Sequence, residues 1–125
     1  MWGPPGRAYL YFCYGMHWML NAVTEPEGFP AAVLLRAIVP LDGREIMDRR
    51  RKGRDLNGPA KLTQALGIDR ALNGADLTRR TDGLWIEPGE RVPASRVART
   101  PRIGLNTVPE PWKSKPWRFL VRAGD

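Results

Sequence analysis

The chain has 125 residues, 42% of them hydrophobic and 26% charged, an ordinary globular balance that argues against global disorder and fits one domain. Thirteen glycines and 12 prolines make it too loop-rich for a helical bundle or a coiled coil, and no apolar run is long enough for a transmembrane helix. Lys and Arg number 20 against 13 carboxylates, a net charge of +7.

Sixteen of those 20 cations are arginines, whose planar fork suits phosphate and base edges better than lysine does. Such an excess on a small domain fits a polyanionic partner, although an arginine-rich solvated surface would look the same. The opening Met1-Trp2-Gly3-Pro4-Pro5 does not read as a secretory signal. A single cysteine, Cys13, excludes an internal disulfide and a cysteine-based zinc site, which suits a reducing cytoplasm. A single histidine, His17, excludes a multi-histidine metal centre.

After a Gly/Pro loop over residues 1–7, Arg7 to Cys13 reads as a strand with Tyr9 and Tyr11 on one face and Leu10 and Phe12 on the other. His17 to Thr24 reads as a second strand, and the glycine at 15 makes the pair a β-hairpin. Ala31 to Val39 reads as a third strand. Asp42 is expected to cap a helix running to about Arg50, with Glu45 reaching back to it. Arg49 to Arg54 reads as a mobile basic loop. Gly58-Pro59 opens a second helix that Gly67 stops, and Asp69 to Leu72 reads as a further helical turn. Leu84 to Ile86, Arg96 to Arg99 and Trp117 to Arg122 read as later strands. The fold class is α+β with mostly antiparallel strands.

Several residues stand out. All three tyrosines fall between positions 9 and 14, at a hairpin whose tip is Tyr14-Gly15-Met16. A bulky side chain on such a tip can enter the minor groove, and aromatics beside it can stack on an extruded base. Core packing is the competing reading, and it is favoured for Tyr9 and Phe12. Asn21 and Arg36 interrupt apolar strands, so each is either a satisfied structural residue or part of a site. His17 could be a core residue, a proton carrier or a phosphate contact. Gly58-Pro59-Ala60-Lys61-Leu62 sets backbone N–H groups and a lysine at a helix start, a common arrangement that also suits an anion. No pair of carboxylates, catalytic triad or dinucleotide fingerprint emerges.

The segments Gly3-Pro4-Pro5-Gly6-Arg7-Ala8-Tyr9-Leu10-Tyr11, Tyr14-Gly15-Met16-His17-Trp18 with Asn21, and Ala32-Val33-Leu34-Leu35-Arg36-Ala37 resemble the alkyladenine (3-methyladenine) DNA glycosylase family. So do Pro40-Leu41-Asp42-Gly43, the run from Gly58 to Asp69, Pro101-Arg102-Ile103-Gly104 and Pro116-Trp117-Arg118-Phe119. The resemblance covers essentially the whole chain in one order and is closest to bacterial members. It implies one α+β domain round a curved antiparallel sheet, a monomer acting on double-stranded DNA that contains alkylated purines, and no cofactor or metal. By the same resemblance, Tyr14 is the wedge that fills the gap left by a flipped nucleotide. Tyr11 stacks on the flipped base, and Asn21 discriminates against normal guanine. Arg36 positions the nucleophilic water, Met16 and His17 touch DNA beside the wedge, and Lys61 contacts a phosphate.

One departure matters. The family's general base is a glutamate in a motif upstream of the Gly-Pro-Pro-Gly loop, and Met1 stands just before that loop. The chain therefore reads as the C-terminal two-thirds of a family domain and is expected to be inactive alone. A non-catalytic DNA-binding remnant and a basic RNA-binding module are the alternatives.

The wedge role is directly testable. Tyr14→Ala is expected to cost little folding stability and to weaken lesion-specific binding about 10- to 100-fold, because a base–aromatic contact is worth roughly 1–3 kcal/mol. A melt lowered by about 3 kcal/mol or more, with lesion affinity intact, would instead put Tyr14 in the core.

Overall fold

The computed structural model describes residues 3–13, 17–28, 30–103 and 107–122. They form two compact units, divided between Glu87 and Pro88. In the first unit, β1 (Ala8–Cys13) pairs antiparallel with β2 (His17–Val23), and β2 pairs antiparallel with β3 (Ala32–Leu34). The register sets Ala8 opposite Ala22, Leu10 opposite Leu20 and Phe12 opposite Trp18. Opposed residues share a face and successive residues alternate. One face therefore carries these apolar side chains, and the other carries Tyr9, Tyr11, Met19 and Asn21.

The apolar face is covered. Ala8, Leu10 and Leu20 pack with Leu62 of α2 (Pro59–Leu66) and with Ile68, Ala75 and Leu77. Leu62 is fully buried. The Thr63 hydroxyl, also buried, donates to the Trp18 carbonyl at 2.7 Å and ties the helix to β2. The outer edge of β1 is closed from Ala8 to Leu10. Ala8 N–H donates to Ala75 O at 2.8 Å, Gly74 N–H to Ala8 O at 2.8 Å, and Leu10 N–H to Asn73 Oδ1 at 2.9 Å. Edge backbone groups satisfied this way cannot template pairing with another chain.

α1 (Arg44–Arg51) packs on α2 through a smaller cluster of Met47, Leu56 and Ala65. α2 starts and stops as expected, with Pro59 in its first turn and Gly67 after its last residue. Gly58 has φ 143°, a backbone that L side chains rarely adopt. Gly67 has φ 67°, and a Cβ there would stand 3.0 Å from the Arg50 guanidinium. Asp69 Oδ1 accepts from Ala71 N–H at 2.9 Å and caps a 3₁₀ turn over Arg70–Leu72.

Five expectations are corrected. The third strand ends at Leu34, not Val39: one more bond, Leu35 N–H to Leu20 O, follows, and then the Arg36 carbonyl accepts from Gly58 N–H at 2.7 Å, so the chain leaves the sheet for the start of α2. Asp42 does not cap α1; Gly43, at φ 75°, turns the chain into the helix and no side chain caps it. The basic stretch 49–54 is not a free loop at its start, because α1 continues to Arg51. Arg51 is buried, with Nε donating to Asp55 O at 3.1 Å and Nη1 to Gln64 Oε1 at 2.6 Å. Phe12 is not in the core: it is 47% exposed and stacks on Trp18 with centroids 4.6 Å apart. Leu84 to Ile86 also forms no strand; the segment is irregular, although Ile86 N–H donates to Leu77 O.

The second unit contains an antiparallel ribbon of β4 (Val97–Thr100) and β5 (Arg118–Val121). The α+β class with antiparallel strands holds, with the strands divided between a three-stranded and a two-stranded sheet. Among the described residues no helix is long and apolar enough to cross a membrane.

Leu62 is the test of this packing. Leu62→Ala should destabilise the chain by about 2–5 kcal/mol in a urea melt, the usual cost of emptying a fully buried leucine site. A loss below about 1 kcal/mol would contradict the placement of α2 against the sheet.

Candidate functional site

Three of the residues expected at a site lie in β1 or β2 with their opposed residues on the uncovered face. Tyr11 stands opposite Met19 and is 52% exposed. Asn21 stands opposite Tyr9 in β1 and Leu34 in β3, at the middle of the sheet. His17, exposed, begins β2 two residues before Met19 on the same face. Tyr11 is thus diagonal to both His17 and Asn21, within the reach that an aromatic side chain spans between strands. Asn21 is half-buried, and its Nδ2 donates to Tyr9 O at 3.3 Å and Met19 O at 3.4 Å. These bonds use the amide's donors and leave the side-chain oxygen as an acceptor. An open groove of about 320 Å³ lies beside the start of β1, lined by Gly3, Pro4, Arg7, Ala8, Tyr9, Val23, Asn73 and Gly74. Tyr14 and Met16 lie outside the described residues.

Arg36 and Lys61 are placed differently. Arg36 follows β3 rather than interrupting it, and is half-buried. The four ion pairs among the described residues use Arg44, Lys61, Arg79 and Arg80, so Arg36 is in none of them. Lys61 lies on α2, behind the covered face, where Nζ meets Asp55 Oδ1 at 3.0 Å and its stem runs past Gly58. The hydrogen bond from Arg36 O to Gly58 N–H joins the backbone after β3 to this helix start. Tyr11, Asn21 and His17 are therefore brought to one surface, whereas Lys61 is not on it.

None of the 13 carboxylates lies in β1, β2 or β3. Three are held below their ordinary range. Asp55 is lowered chiefly by its hydrogen bond with Lys61. Asp76 is lowered by the Thr78 hydroxyl and N–H, and Glu87 by Arg80 and then Trp85. A general base works best with a pKa near the operating pH, so these shifts run the wrong way for that role. Glu25 and Glu27 sit exposed in the turn after β2. Asp55 itself was not singled out by sequence. The signal was present in the Asp55-to-Lys61 spacing across Gly58-Pro59, a turn that returns the chain towards its own lysine.

The model of the family described as Methylpurine-DNA glycosylase (MPG) matches residues 1–124. The chain belongs to that family. Relatives agree, each assigned by name as a 3-methyladenine DNA glycosylase. The Chlorobaculum parvum protein is 43% identical over 98% of this chain and 58% of its own length. The Rubrobacter xylanophilus protein is 48% identical over 97% of this chain and 62% of its own. The Carboxydothermus hydrogenoformans protein is 46% identical over 98% and 63%. The chain thus spans about three-fifths of the length of these relatives.

The Asp55–Lys61 pair yields a pH and salt prediction. A carboxyl with a lowered folded-state pKa stabilises the fold above its unfolded pKa, and that stabilisation is lost as pH falls through the folded value. An NMR titration of the Asp55 carboxyl should therefore have its midpoint below 3.8, moving up towards it in Lys61→Ala. Added salt should likewise raise the midpoint in the parent chain, because it screens the exposed Asp55–Lys61 pair. A midpoint indifferent to Lys61→Ala would remove the pairing.

Proposed function

We propose that this chain is the DNA-binding and base-reading portion of a base-excision repair glycosylase that hydrolyses the N-glycosidic bond of alkylated purines such as 3-methyladenine. The observation that carries the reading is the open sheet face of a family member on which Tyr11 and Asn21 stand together. The protein works as a monomer on duplex DNA in the bacterial cytoplasm.

A base inside the duplex is out of reach of any residue that must attack its sugar bond, so the nucleotide is extruded. Tyr14 occupies the vacated space, with Met16 and His17 against the DNA beside it. Tyr11 offers a half-exposed ring for the flipped base to stack on. Asn21, fixed by its two strand carbonyls, presents its oxygen to the base edge and rejects normal guanine. Lys61 takes a phosphate once it leaves Asp55.

The bond then breaks by attack of water on the anomeric carbon. The base departs with the bonding electrons, and the water loses a proton to a nearby acceptor. Arg36 can orient that water, but a guanidinium that is always charged cannot accept its proton. The acceptor is a carboxylate, and β1, β2 and β3 contain none. The bond is already weakened by alkylation, so water and a base suffice without a cofactor.

An excision assay on duplex carrying an alkylated purine tests this reading. Since general-base catalysis typically contributes 10²- to 10⁴-fold, the 125-residue chain alone should excise at close to the background rate. Fusion in frame to a segment bearing the family's glutamate motif should restore excision. Robust excision by the chain alone would sink the idea of an absent base and direct mutagenesis to Glu25 and Glu27. A fusion that folds and stays inactive would favour a non-catalytic DNA-binding remnant.

A further inference from the structure

The residues assigned to the lesion all belong to the first unit, but most of the excess charge does not. Pro88–Asp125 contains eight of the 20 Lys and Arg residues and only three of the 13 carboxylates, so it holds five of the seven excess positive charges. The same unit displays large aromatic rings. Trp112 and Trp117 are each 48% exposed, and Phe119 is 59% exposed.

These rings and charges are interleaved. The Trp112 and Trp117 centroids lie 5.8 Å apart with planes tilted by 47°. Lys115 Nζ stands 4.9 Å from one ring centroid and 5.0 Å from the other. The Arg102 guanidinium lies 5.2 Å from the Trp117 ring, and its Nη2 donates to Trp112 O at 3.4 Å. On the ribbon, Arg99 is opposite Phe119 and lies 5.3 Å from its ring. Neither β4 nor β5 contains a carboxylate.

Exposed aromatics clustered with arginine are enriched where a surface meets a partner. Protein interfaces also enrich aromatics and arginine, but they are depleted of lysine. A membrane patch would be contiguous and apolar, whereas here each ring has a cation about 5 Å away. Unpaired nucleotides match both features at once, since bases stack on exposed rings while phosphates take the cations.

We propose that the second unit is a further nucleic-acid contact, made of residues distinct from the lesion-reading ones, whose occupant is an unpaired DNA strand. Bases stack on Trp112, Trp117 and Phe119, and Arg99, Arg102 and Lys115 hold the phosphates between them. The choice of DNA rests on the glycosylase reading; the stacking platform rests on the geometry of this unit.

Oligothymidine binding by the full chain, followed by tryptophan fluorescence, tests the proposal. Oligothymidine should quench the fluorescence and bind more tightly than undamaged duplex or oligouridine of equal length. Trp112→Ala and Trp117→Ala should each weaken oligothymidine binding about 10-fold, while Trp117→Phe keeps most of it. Lys115→Ala should lower the log–log salt slope by about 0.7, the share of one single-strand phosphate. Heparin, a polyanion without bases, should bind the tryptophan variants as well as it binds the parent chain. Equal loss of heparin and oligothymidine in the tryptophan variants, or no loss of either, would overturn the platform. So would preferential binding to vesicles of anionic phospholipid, and preference for oligouridine would overturn the choice of DNA. Absence of excision by a folded glutamate-bearing fusion, with oligothymidine binding still dependent on Trp112 and Trp117, would remove the glycosylase reading alone.

Discussion

The register between β1 and β2 decides what each side of the sheet can do. Side chains alternate with period two, so a slip of one residue would exchange the faces. In the observed register Leu10 and Leu20 meet Leu62, while Tyr11 and Asn21 are turned to the uncovered side. Burial of the apolar set therefore fixes the display of the polar and aromatic set. The bonds that Ala8 and Leu10 of β1 make with Ala75 O, Gly74 N–H and the Asn73 side chain, and the Thr63 hydroxyl's bond to Trp18 O, reinforce that choice.

A second constraint is the division of labour among the cations. Net charge counts every arginine alike, but the fold uses some of them internally. Arg51 is buried between α1 and Gln64 of α2, and Arg50 Nη1 donates to Ala65 O at 3.0 Å, near the end of α2 where a positive charge also opposes the helix dipole. Gly67 leaves the space that the Arg50 guanidinium fills. Lys61 is shared with Asp55. Three cations of the second unit, Arg99, Arg102 and Lys115, sit over exposed rings, so charge and aromatic surface coincide at those positions.

Much of this was legible in the sequence, and the failures have physical causes. The pairing of β1 with β2 was legible because alternating aromatic and apolar residues flank Gly15 in the sequence, and α2 because Gly58-Pro59 and Gly67 punctuate it at both ends. The third strand was overextended because an apolar run does not reveal where its backbone partners end; Arg36 gives its carbonyl to Gly58, far along the chain. Asp42 looked like a cap because its side chain can act as one, but the left-handed Gly43 starts the helix a residue later. Phe12 looked like core because its type favours burial, and only the position of α2 shows that the cover stops short of it. The shared face of Tyr11 and Asn21 needed the exact pairing of two strands. The Lys115 cluster needed tertiary folding, since Arg102 and Trp117 are distant in sequence.

The uncovered sheet face is the proposed reader of the damaged base. Side-chain NMR of Asn21 Nδ2 and the Tyr11 ring, recorded with a duplex containing a stable alkylated-purine analogue and with the undamaged duplex, addresses it most directly. The account predicts that both signals shift with the damaged duplex and remain in place with the undamaged one at equal saturation. Unchanged Asn21 and Tyr11 signals on a chain saturated with the damaged duplex would contradict it.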